Sequence, residues 1–106
     1  MKKQQKIVGG LEITTFQLNG YTCEAFITAN ADIDAWLQQQ PGFQSRRIAE
    51  QEDGTIVDML LWDTVAAGRK AMTNLMTEMA DSVVHEMIDQ STVSWNVYPV
   101  KHHMGL

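Results

Sequence analysis

The residues most able to carry chemistry in this sequence lie around a hairpin centred on Asp53-Gly54. A two-residue or a four-residue loop there pairs residues whose numbers sum to 107. In that register Arg47 lies diagonally across from Asp58 on one face of the hairpin, within reach of its carboxylate. Arg47 could then hold an anionic or enolic oxygen while Asp58 acts as a base, or the two could form a structural ion pair at the rim of an interface. A slip by one residue would substitute Arg46 for Arg47.

Asn30, Leu60, Trp62 and His85 are further candidates, as groups that bind a substrate. Asn30 interrupts the apolar stripe of a predicted helix, so its amide is either satisfied by backbone in the core or turned into a cavity between helix and sheet. Leu60 and Trp62 share the face of Asp58, and we expect Asn30, Asp58 and Trp62 to border a single pocket. His85 could shuttle protons near neutral pH, or it could lie at the surface.

Motifs for a metal or a cofactor do not accompany these residues. The sequence has no zinc-ligand spacing, no glycine-rich phosphate loop and no Gly-x-Ser-x-Gly elbow. His102 and His103 are adjacent in a predicted tail, where neighbouring side chains point apart. We therefore expect no metal site and no cofactor.

Two predicted strands, Phe43–Gln51 and Thr55–Trp62, position the candidate side chains. Successive residues of a strand point to opposite faces, so the second strand has two distinct sets of side chains. The predicted core face is wholly apolar and consists of Val57, Met59 and Leu61. The opposite face is mostly apolar with one carboxylate and consists of Ile56, Asp58, Leu60 and Trp62. A strand that is apolar on both faces needs a second cover, from a pocket, a partner subunit or both.

The rest of the chain completes an α+β pattern. The other predicted elements are a strand at Leu11–Leu18, a helix capped by Thr22 that runs to about Gln39, a helix from Val65 to about Met79 capped by Asp63 or Thr64, a short helix at Val83–Ile88 and a strand at Thr92–Val100. This order is the ferredoxin-like split βαβ pattern, which forms a four-stranded antiparallel sheet with helices on one face. We expect the bare face to carry Leu60 and Trp62, and a homodimer to cover it.

Length and charge narrow the class of protein. The 106 residues predict a single domain over 1–106, with a core of about 8–100 and tails at 1–6 and 101–106. A net charge of −5 argues against a nucleic-acid binder, and no apolar run is long enough for a membrane span. One cysteine and an N-terminus without an apolar signal region predict a cytoplasmic protein.

Several short motifs over about residues 11–100 resemble the antibiotic biosynthesis monooxygenase-like family of the dimeric α+β barrel superfamily. They are Pro-Gly-Phe at 41–43, the Arg-Arg pair at 46–47, the acidic-Gly hairpin, and Asp-x-x-x-Trp-Asp at 58–63. The resemblance implies a homodimer whose two sheets enclose a barrel, with a ligand cavity in each subunit between sheet and helices. Relatives in the family include cofactor-free monooxygenases of aromatic polyketides, haem-degrading enzymes, isomerases and proteins without known activity.

The resemblance also bears on the cofactor and on the site residues. Haem-degrading relatives carry an axial histidine about ten residues past the tryptophan, where this chain has Met72, so haem is not expected. The cofactor-free branch is similar to this chain in having an asparagine, a tryptophan and an arginine, here Asn30, Trp62 and Arg47.

Two classes of function follow. One is a small oxygenase or isomerase that acts on an aromatic or quinol-like substrate, with Asp58 as base, Arg47 as the oxyanion partner and Trp62 as an aromatic wall. The other is a non-catalytic dimer that binds a small apolar ligand or another protein. Both place Asp58 and Trp62 on the face away from the helices, and finding these side chains under the helices would refute that assignment of the site.

Overall fold

The computed structural model describes residues 9–105, and the predicted tail at residues 1–6 lies outside them. The elements in chain order are β1 (Gly10–Leu18), α1 (Cys23–Ala29), α2 (Ala31–Leu37), β2 (Phe43–Glu50), β3 (Ile56–Trp62), α3 (Val65–Glu78), α4 (Val84–Met87) and β4 (Ile88–Pro99). Residues 100–105 follow β4 without helix or strand, where a tail is predicted. None of the helices within residues 9–105 is long and apolar enough to cross a membrane.

The four strands form one antiparallel sheet in the order β2-β3-β1-β4. The two central strands, β1 and β3, are the first strands of the two predicted strand-helix-strand halves, as the split βαβ pattern requires. Buried side chains from the helices pack with those of the sheet into one core. The predicted fold class, a ferredoxin-like α+β sheet with helices, is therefore confirmed.

The predicted register of the β2–β3 hairpin is wrong by one residue, because paired residue numbers sum to 106, as Arg46 and Leu60 show. The loop contains three residues, 52–54. The backbone N–H of Gln51 donates to the Thr55 carbonyl at 2.8 Å, and Gly54 has a φ of 89°. A three-residue hairpin loop that ends in a left-handed glycine is a common alternative to the two-residue turn. The same Asp-Gly signal is therefore also compatible with a hairpin in which paired residue numbers sum to 106 instead of 107.

The predicted core face of β3 is also wrong. The side chains under the helices are at most 7% exposed, and they are Ile56, Asp58, Leu60 and Trp62. The opposite face, which we name the open face, has partly buried apolar side chains at its centre: Leu11, Ile13, Val57, Met59 and Leu61. The helices cover the bulkier set of side chains, which includes a tryptophan, because it fills more of the core. Its one carboxylate, on Asp58, is neutralised there by an arginine.

The predicted first helix is divided into α1 and α2 at Asn30. Thr22 caps α1 as predicted, since its hydroxyl accepts a hydrogen bond from the Ala25 N–H at 3.0 Å. At Asn30 the backbone has a φ of −80° and a ψ of 6°, and the side-chain Nδ2 donates to the Phe26 carbonyl at 2.8 Å. An asparagine that bonds the preceding turn in this way competes with regular helical hydrogen bonds. The bend turns Asn30 inwards, where it is 1% exposed.

Helix α3 lies directly against β3 at Gly68. A Cβ atom at this position would lie 2.9 Å from Cδ1 of Trp62 and 3.2 Å from Cγ1 of Val97, so the glycine permits the close approach. The residues of α3 that are buried are Gly68 and Ala71. Met76 is half exposed. The α3 N-terminus is capped by Thr64, whose hydroxyl accepts from the Ala67 N–H at 2.9 Å.

Strand β4 begins earlier than predicted, at Ile88 instead of Thr92. The polar run after Ile88 resembles a turn, but an irregularity in the β1–β4 ladder between Thr15 and Gln17 lets the pairing continue. The Thr92 hydroxyl fills the gap by accepting from the Gln17 N–H at 2.8 Å. A β-bulge of this kind leaves no simple pattern in the sequence.

Candidate functional site

A cavity of about 110 Å³ lies between the helices and the covered face of the sheet. Its apolar lining includes Leu60, Trp62 and Trp95, and its polar lining includes Glu12, Asn30, Arg46, Asp58 and His85. The sheet contributes residues from all four strands, and each of the four helices contributes at least one. Aromatic walls with a few polar groups at one end are the usual composition of a small-molecule site.

The guanidinium of Arg46 holds the polar end of the cavity together. Its Nε and Nη2 donate to the two Asp58 carboxylate oxygens at 3.0 and 2.7 Å, which is a bidentate ion pair. Nη2 also donates to Asn30 Oδ1 at 2.9 Å, and Nη1 donates to Asp34 at 2.8 Å. Burial lowers the pKa of Arg46, but the hydrogen bonds and charges of Asp58 and Asp34 outweigh it and hold the pKa above its ordinary value. The side chain stays a cation.

Arg47 is not part of this cluster, and its predicted position beside Asp58 is wrong. It pairs with Met59 rather than Leu60, so its side chain lies on the open face, and it is exposed. The cause is the three-residue hairpin loop, which shifts β2 by one residue relative to the predicted register. Arg46, the alternative that a register slip would bring in, occupies the place predicted for Arg47.

Asn30 combines both of the interpretations drawn from the sequence. Its Nδ2 is satisfied by the Phe26 backbone carbonyl, and its Oδ1 accepts from Arg46 at the cavity wall. The bend between α1 and α2 puts the amide in this position. Asn30 therefore orients the guanidinium while remaining a fully bonded core residue.

The two sequence-predicted apolar members, Leu60 and Trp62, are buried in the cavity wall, at 5% and 0% exposure. Phe43 packs edge-to-face on Trp62, with ring centroids 5.5 Å apart. Gly68 brings α3 into close contact with the same indole. The indole is thus held by both β2 and α3, as the rigid wall of a binding site should be.

His85, the remaining predicted member, also lines the cavity from α4. Its Nε2 lies 2.9 Å from the Met79 carbonyl oxygen, so in that geometry the ring donates to the backbone from Nε2. The other ring nitrogen has no hydrogen-bond partner within residues 9–105, so it can bond a ligand or water.

Glu12 is the residue that sequence reasoning missed. It lies on β1, is 5% exposed, and accepts hydrogen bonds from two indoles: Trp62 Nε1 on one oxygen at 2.8 Å and Trp95 Nε1 on the other. Burial is the main cause that raises the pKa of Glu12 above its ordinary value of 4.5. A signal was present, because Glu12 is in phase with Phe16 and Leu18 in a strand whose buried face should be apolar.

The placement of the site on the face away from the helices is wrong. Asp58 and Trp62 point towards the helices, while Val57 and Leu61 lie on the open face. Asn30, Asp58, Leu60, Trp62 and His85 nevertheless surround one cavity, because the covered face and the helix stripe meet there. Their roles in binding or catalysis stay predictions.

The absence of a metal site and of a haem site stays a prediction. Met72, at the position where the haem-degrading relatives have a histidine, lines the cavity. Across residues 9–105 no group of three or more His, Cys, Asp or Glu side chains is arranged to hold a metal ion.

Solved structures with the same architecture include oxygenases. A monooxygenase from the gene ActVA-Orf6 of Streptomyces coelicolor, solved with nanaomycin D, is 18% identical, with a TM-score of 0.69 over 93% of each chain. SnoaB, a cofactor-independent oxygenase from Streptomyces nogalater, is 16% identical, with a TM-score of 0.64 over 93% of this chain and 97% of its own. Rv0793 from Mycobacterium tuberculosis is 14% identical, with a TM-score of 0.68 over 92% of this chain and 99% of its own.

The similarity is one of structure, at identities below 20%. No protein-family model and no curated protein matches the sequence. The matched structures nevertheless cover almost the whole chain and almost the whole of each neighbour. The chain therefore has the fold of the antibiotic biosynthesis monooxygenase-like proteins.

Proposed function

We propose that this chain is a cytoplasmic, homodimeric, cofactor-independent monooxygenase that acts on an aromatic or quinol-like small molecule. The observation that carries the proposal is the polar end of the cavity. There the Arg46 guanidinium and the carboxylates of Glu12 and Asp58 adjoin the indole walls of Trp62 and Trp95. The oxygenases SnoaB and ActVA-Orf6, which share the fold, support the proposal.

An oxygenase without a cofactor needs a substrate that can lose a proton and become an electron-rich anion. The protein then supplies a group that accepts the proton and a donor that stabilises the oxyanion. Four of the five N–H groups of Arg46 donate to protein acceptors within residues 9–105, which leaves one N–H of Nη1 for a ligand. Asp58 fixes the plane of the guanidinium, so this donor has a defined direction.

The volume of the cavity limits the ligand. A dry engineered cavity of about 150 Å³ is known to take one benzene ring. At about 110 Å³, this cavity therefore has room for at most a single ring in its present conformation. Met72 and Met76 of α3 are in the lining, and methionine side chains change rotamer readily. A larger aromatic substrate would enter by displacing them.

The open face of the sheet supports the homodimer. Its centre is apolar and partly exposed, and it consists of Leu11, Ile13, Val57, Met59 and Leu61. Exposed polar or charged residues flank this centre, among them Arg47 on β2 and Asn96 on β4. An apolar centre with a polar rim is the usual composition of a subunit interface.

Oxygen consumption by the purified, chelator-treated protein tests the proposal. We expect hydroquinone or an anthrone to be oxidised faster with the protein than in buffer alone, without added metal or haem. Arg46→Lys keeps the charge and loses the planar fork of donors, so the rate should fall by about a hundredfold. The matched variant Arg47→Lys should keep the rate, because Arg47 lies on the open face. Equal rates with and without the protein would contradict the proposal.

The second candidate is a binding protein without catalysis. The bidentate ion pair of Arg46 and Asp58 favours it, because Asp58 could act as a base only by giving up the charge that neutralises the buried guanidinium. Under this alternative, calorimetry would detect binding of hydroquinone while the oxygen electrode detects no turnover. Arg46→Lys would then weaken binding only.

A further inference from the structure

Glu12 is the most deeply placed carboxylate of the cavity, and the ion-pair network does not use it. Both carboxylate oxygens accept hydrogen bonds from neutral donors, the indole N–H groups of Trp62 on β3 and Trp95 on β4. Each carboxylate oxygen can accept more than one hydrogen bond, so an acceptor position remains on each. The side chain lines the cavity although only 5% of its surface is exposed.

The surroundings of Glu12 favour uptake of a proton, chiefly because the side chain is buried. Burial makes the largest contribution and raises the pKa, and the charge of Asp58 on β3 raises it further. The two indole hydrogen bonds and the charge of Arg46 on β2 lower the pKa, but the net direction is upward. His85 on α4 is the remaining titratable group of the cavity lining. Arg46 is committed to Asp34, Asp58 and Asn30, and it does not contact Glu12 directly.

We propose that Glu12, oriented by the indoles of Trp62 and Trp95, is the group that accepts the proton from the hydroxyl of a bound phenol or quinol. This inference rests on the proposed function and names its base. The O–H bond of the ligand breaks, its electron pair stays on the ligand oxygen, and the proton bonds to a Glu12 oxygen. A carboxylate becomes a carboxylic acid while a phenol becomes a phenolate, so the net charge of the cavity is unchanged. The Nη1 N–H of Arg46 that has no acceptor within residues 9–105 is the donor for the new oxyanion.

Glu12 suits this role better than Asp58. Protonation of Asp58 would break a bidentate pair with a buried guanidinium, which is costly because Arg46 would remain charged. Protonation of Glu12 gives up only the charge assistance in two bonds from neutral indoles. The same indoles fix both oxygens, so the lone pairs have a defined direction towards the cavity.

Nuclear magnetic resonance of the three tryptophan indole N–H groups tests the orientation without any ligand. As the pH rises from 4.5 to 8, we expect the Trp62 and Trp95 resonances to shift together, with a midpoint above 4.5. The Trp36 indole, which donates to Glu78 and not to Glu12, is the internal control, and its pH response should be the same in the wild-type protein and in Glu12→Gln. The shared transition should be lost in Glu12→Gln and kept in Asp58→Asn and His85→Gln. Its absence from the wild-type protein would overturn the inference.

Binding of two probes of nearly equal shape tests the proton transfer. Phenol can donate its hydroxyl to Glu12, whereas toluene cannot. We expect phenol to bind about tenfold more tightly above the Glu12 transition than below it, because the bond becomes charge-assisted. Toluene should show no gain. Equal pH dependence for the two probes, or a phenol effect that persists in Glu12→Gln, would overturn the inference.

Oxygen consumption separates this inference from the proposed function. If phenol shows the expected pH dependence but hydroquinone is not oxidised, Glu12 is the proton acceptor of a binding protein, and the proposed catalysis fails. If hydroquinone is oxidised equally fast by the wild-type protein and Glu12→Gln, the chain is an oxygenase with a different base, and the inference is overturned.

Discussion

Two adjacent arginines have opposite environments, and this difference can be measured. Arg46 is buried against Asp58, while Arg47 is exposed on the open face. Arg46→Gln leaves a buried carboxylate without its partner and should lower the free energy of unfolding by about 3–5 kcal/mol. Arg47→Gln should change it by less than about 0.5 kcal/mol. Urea denaturation followed by circular dichroism measures both, and similar losses would contradict the register.

The buried Glu12 makes a pH dependence of stability that opposes the usual one. Because its pKa is raised in the folded protein, the folded state keeps a proton that the unfolded state has released. The Glu12 contribution to stability is therefore present below 4.5 and is lost as the pH rises through the raised pKa, by about 1.4 kcal/mol for each unit of the shift. Other carboxyl groups vary with pH as well, so the difference between two proteins is the useful quantity.

Thermal unfolding of the wild-type protein and Glu12→Gln from pH 4 to 8 measures that difference. We expect the melting temperature of the wild-type protein to fall relative to that of the variant as the pH rises through this window. A difference that stays constant with pH would show that the carboxylate is not held in the environment described.

At the residue scale, the sequence predicted which side chains line the cavity better than it predicted the face of the sheet on which they lie. Asn30 could be singled out because a polar residue in an apolar stripe is visible in one dimension. Asp58 could be singled out for the same reason, as the one carboxylate on a mostly apolar strand face. Trp62 could be singled out as part of the Asp-x-x-x-Trp-Asp motif. Glu12 carried the same kind of signal and was overlooked, whereas its bonds to two indoles from β3 and β4 could not be predicted because only the folded sheet brings them together.

At the scale of the elements, the contact between α3 and β3 depends on Gly68. Alanine there would gain about 1 kcal/mol of helix propensity, but its Cβ would lie 2.9 Å from a Trp62 ring that has no room to move. We expect Gly68→Ala to lose stability overall, because overpacking costs about 1–3 kcal/mol. The substitution should also weaken the binding of aromatic ligands, because it displaces Trp62 from the cavity wall.

Ala66→Gly, at an exposed position of the same helix, is the matched control. It should lose about 1 kcal/mol from helix propensity alone and leave ligand binding unchanged. Chemical denaturation and calorimetry measure the two effects. A Gly68→Ala protein that is more stable than the wild type would show that the approach of α3 is not tight.

The ends of helices and the hairpin turn were predicted well, because capping residues and the Asp-Gly turn act through neighbouring residues in the chain. The caps at Thr22 and Thr64 and the hairpin at Asp53-Gly54 are found at the predicted positions. Prediction failed where long-range pairing decides the outcome. The early start of β4 depends on an irregularity opposite β1, and the break at Asn30 is stabilised by Arg46 from another strand.

At the scale of the whole molecule, the open face decides the oligomeric state. Met59 lies at its centre, between Ile13 of β1 and Arg47 of β2. Light scattering of the wild-type protein should give about twice the chain mass of 11.9 kDa. Met59→Asp should give a folded monomer, because a desolvated charge in an apolar interface is costly. Ala66→Asp, on exposed helix surface, should remain dimeric, and a monomeric wild-type protein would contradict the homodimer.

The order of strands and helices in the whole molecule was within reach of the sequence, because the split βαβ pattern specifies one sheet order. Which face the helices cover was not. Both faces of β3 are apolar, and choosing between them requires the volumes of the side chains and the place of the ion pair.

The Arg-Arg pair has a consequence for how the chain reaches this structure. A hairpin slipped by one residue would put Arg47 where Arg46 now lies, so Asp58 would still find a guanidinium. Its charge therefore does not discriminate against the slipped hairpin, and only the packing of neighbours such as Phe43 and Ile48 does. We therefore expect the misregistered hairpin to compete during folding, and escape from it would require the β2–β3 ladder to open. We expect Arg47→Gln to refold faster than the wild-type protein in stopped-flow experiments, while its unfolding rate stays the same.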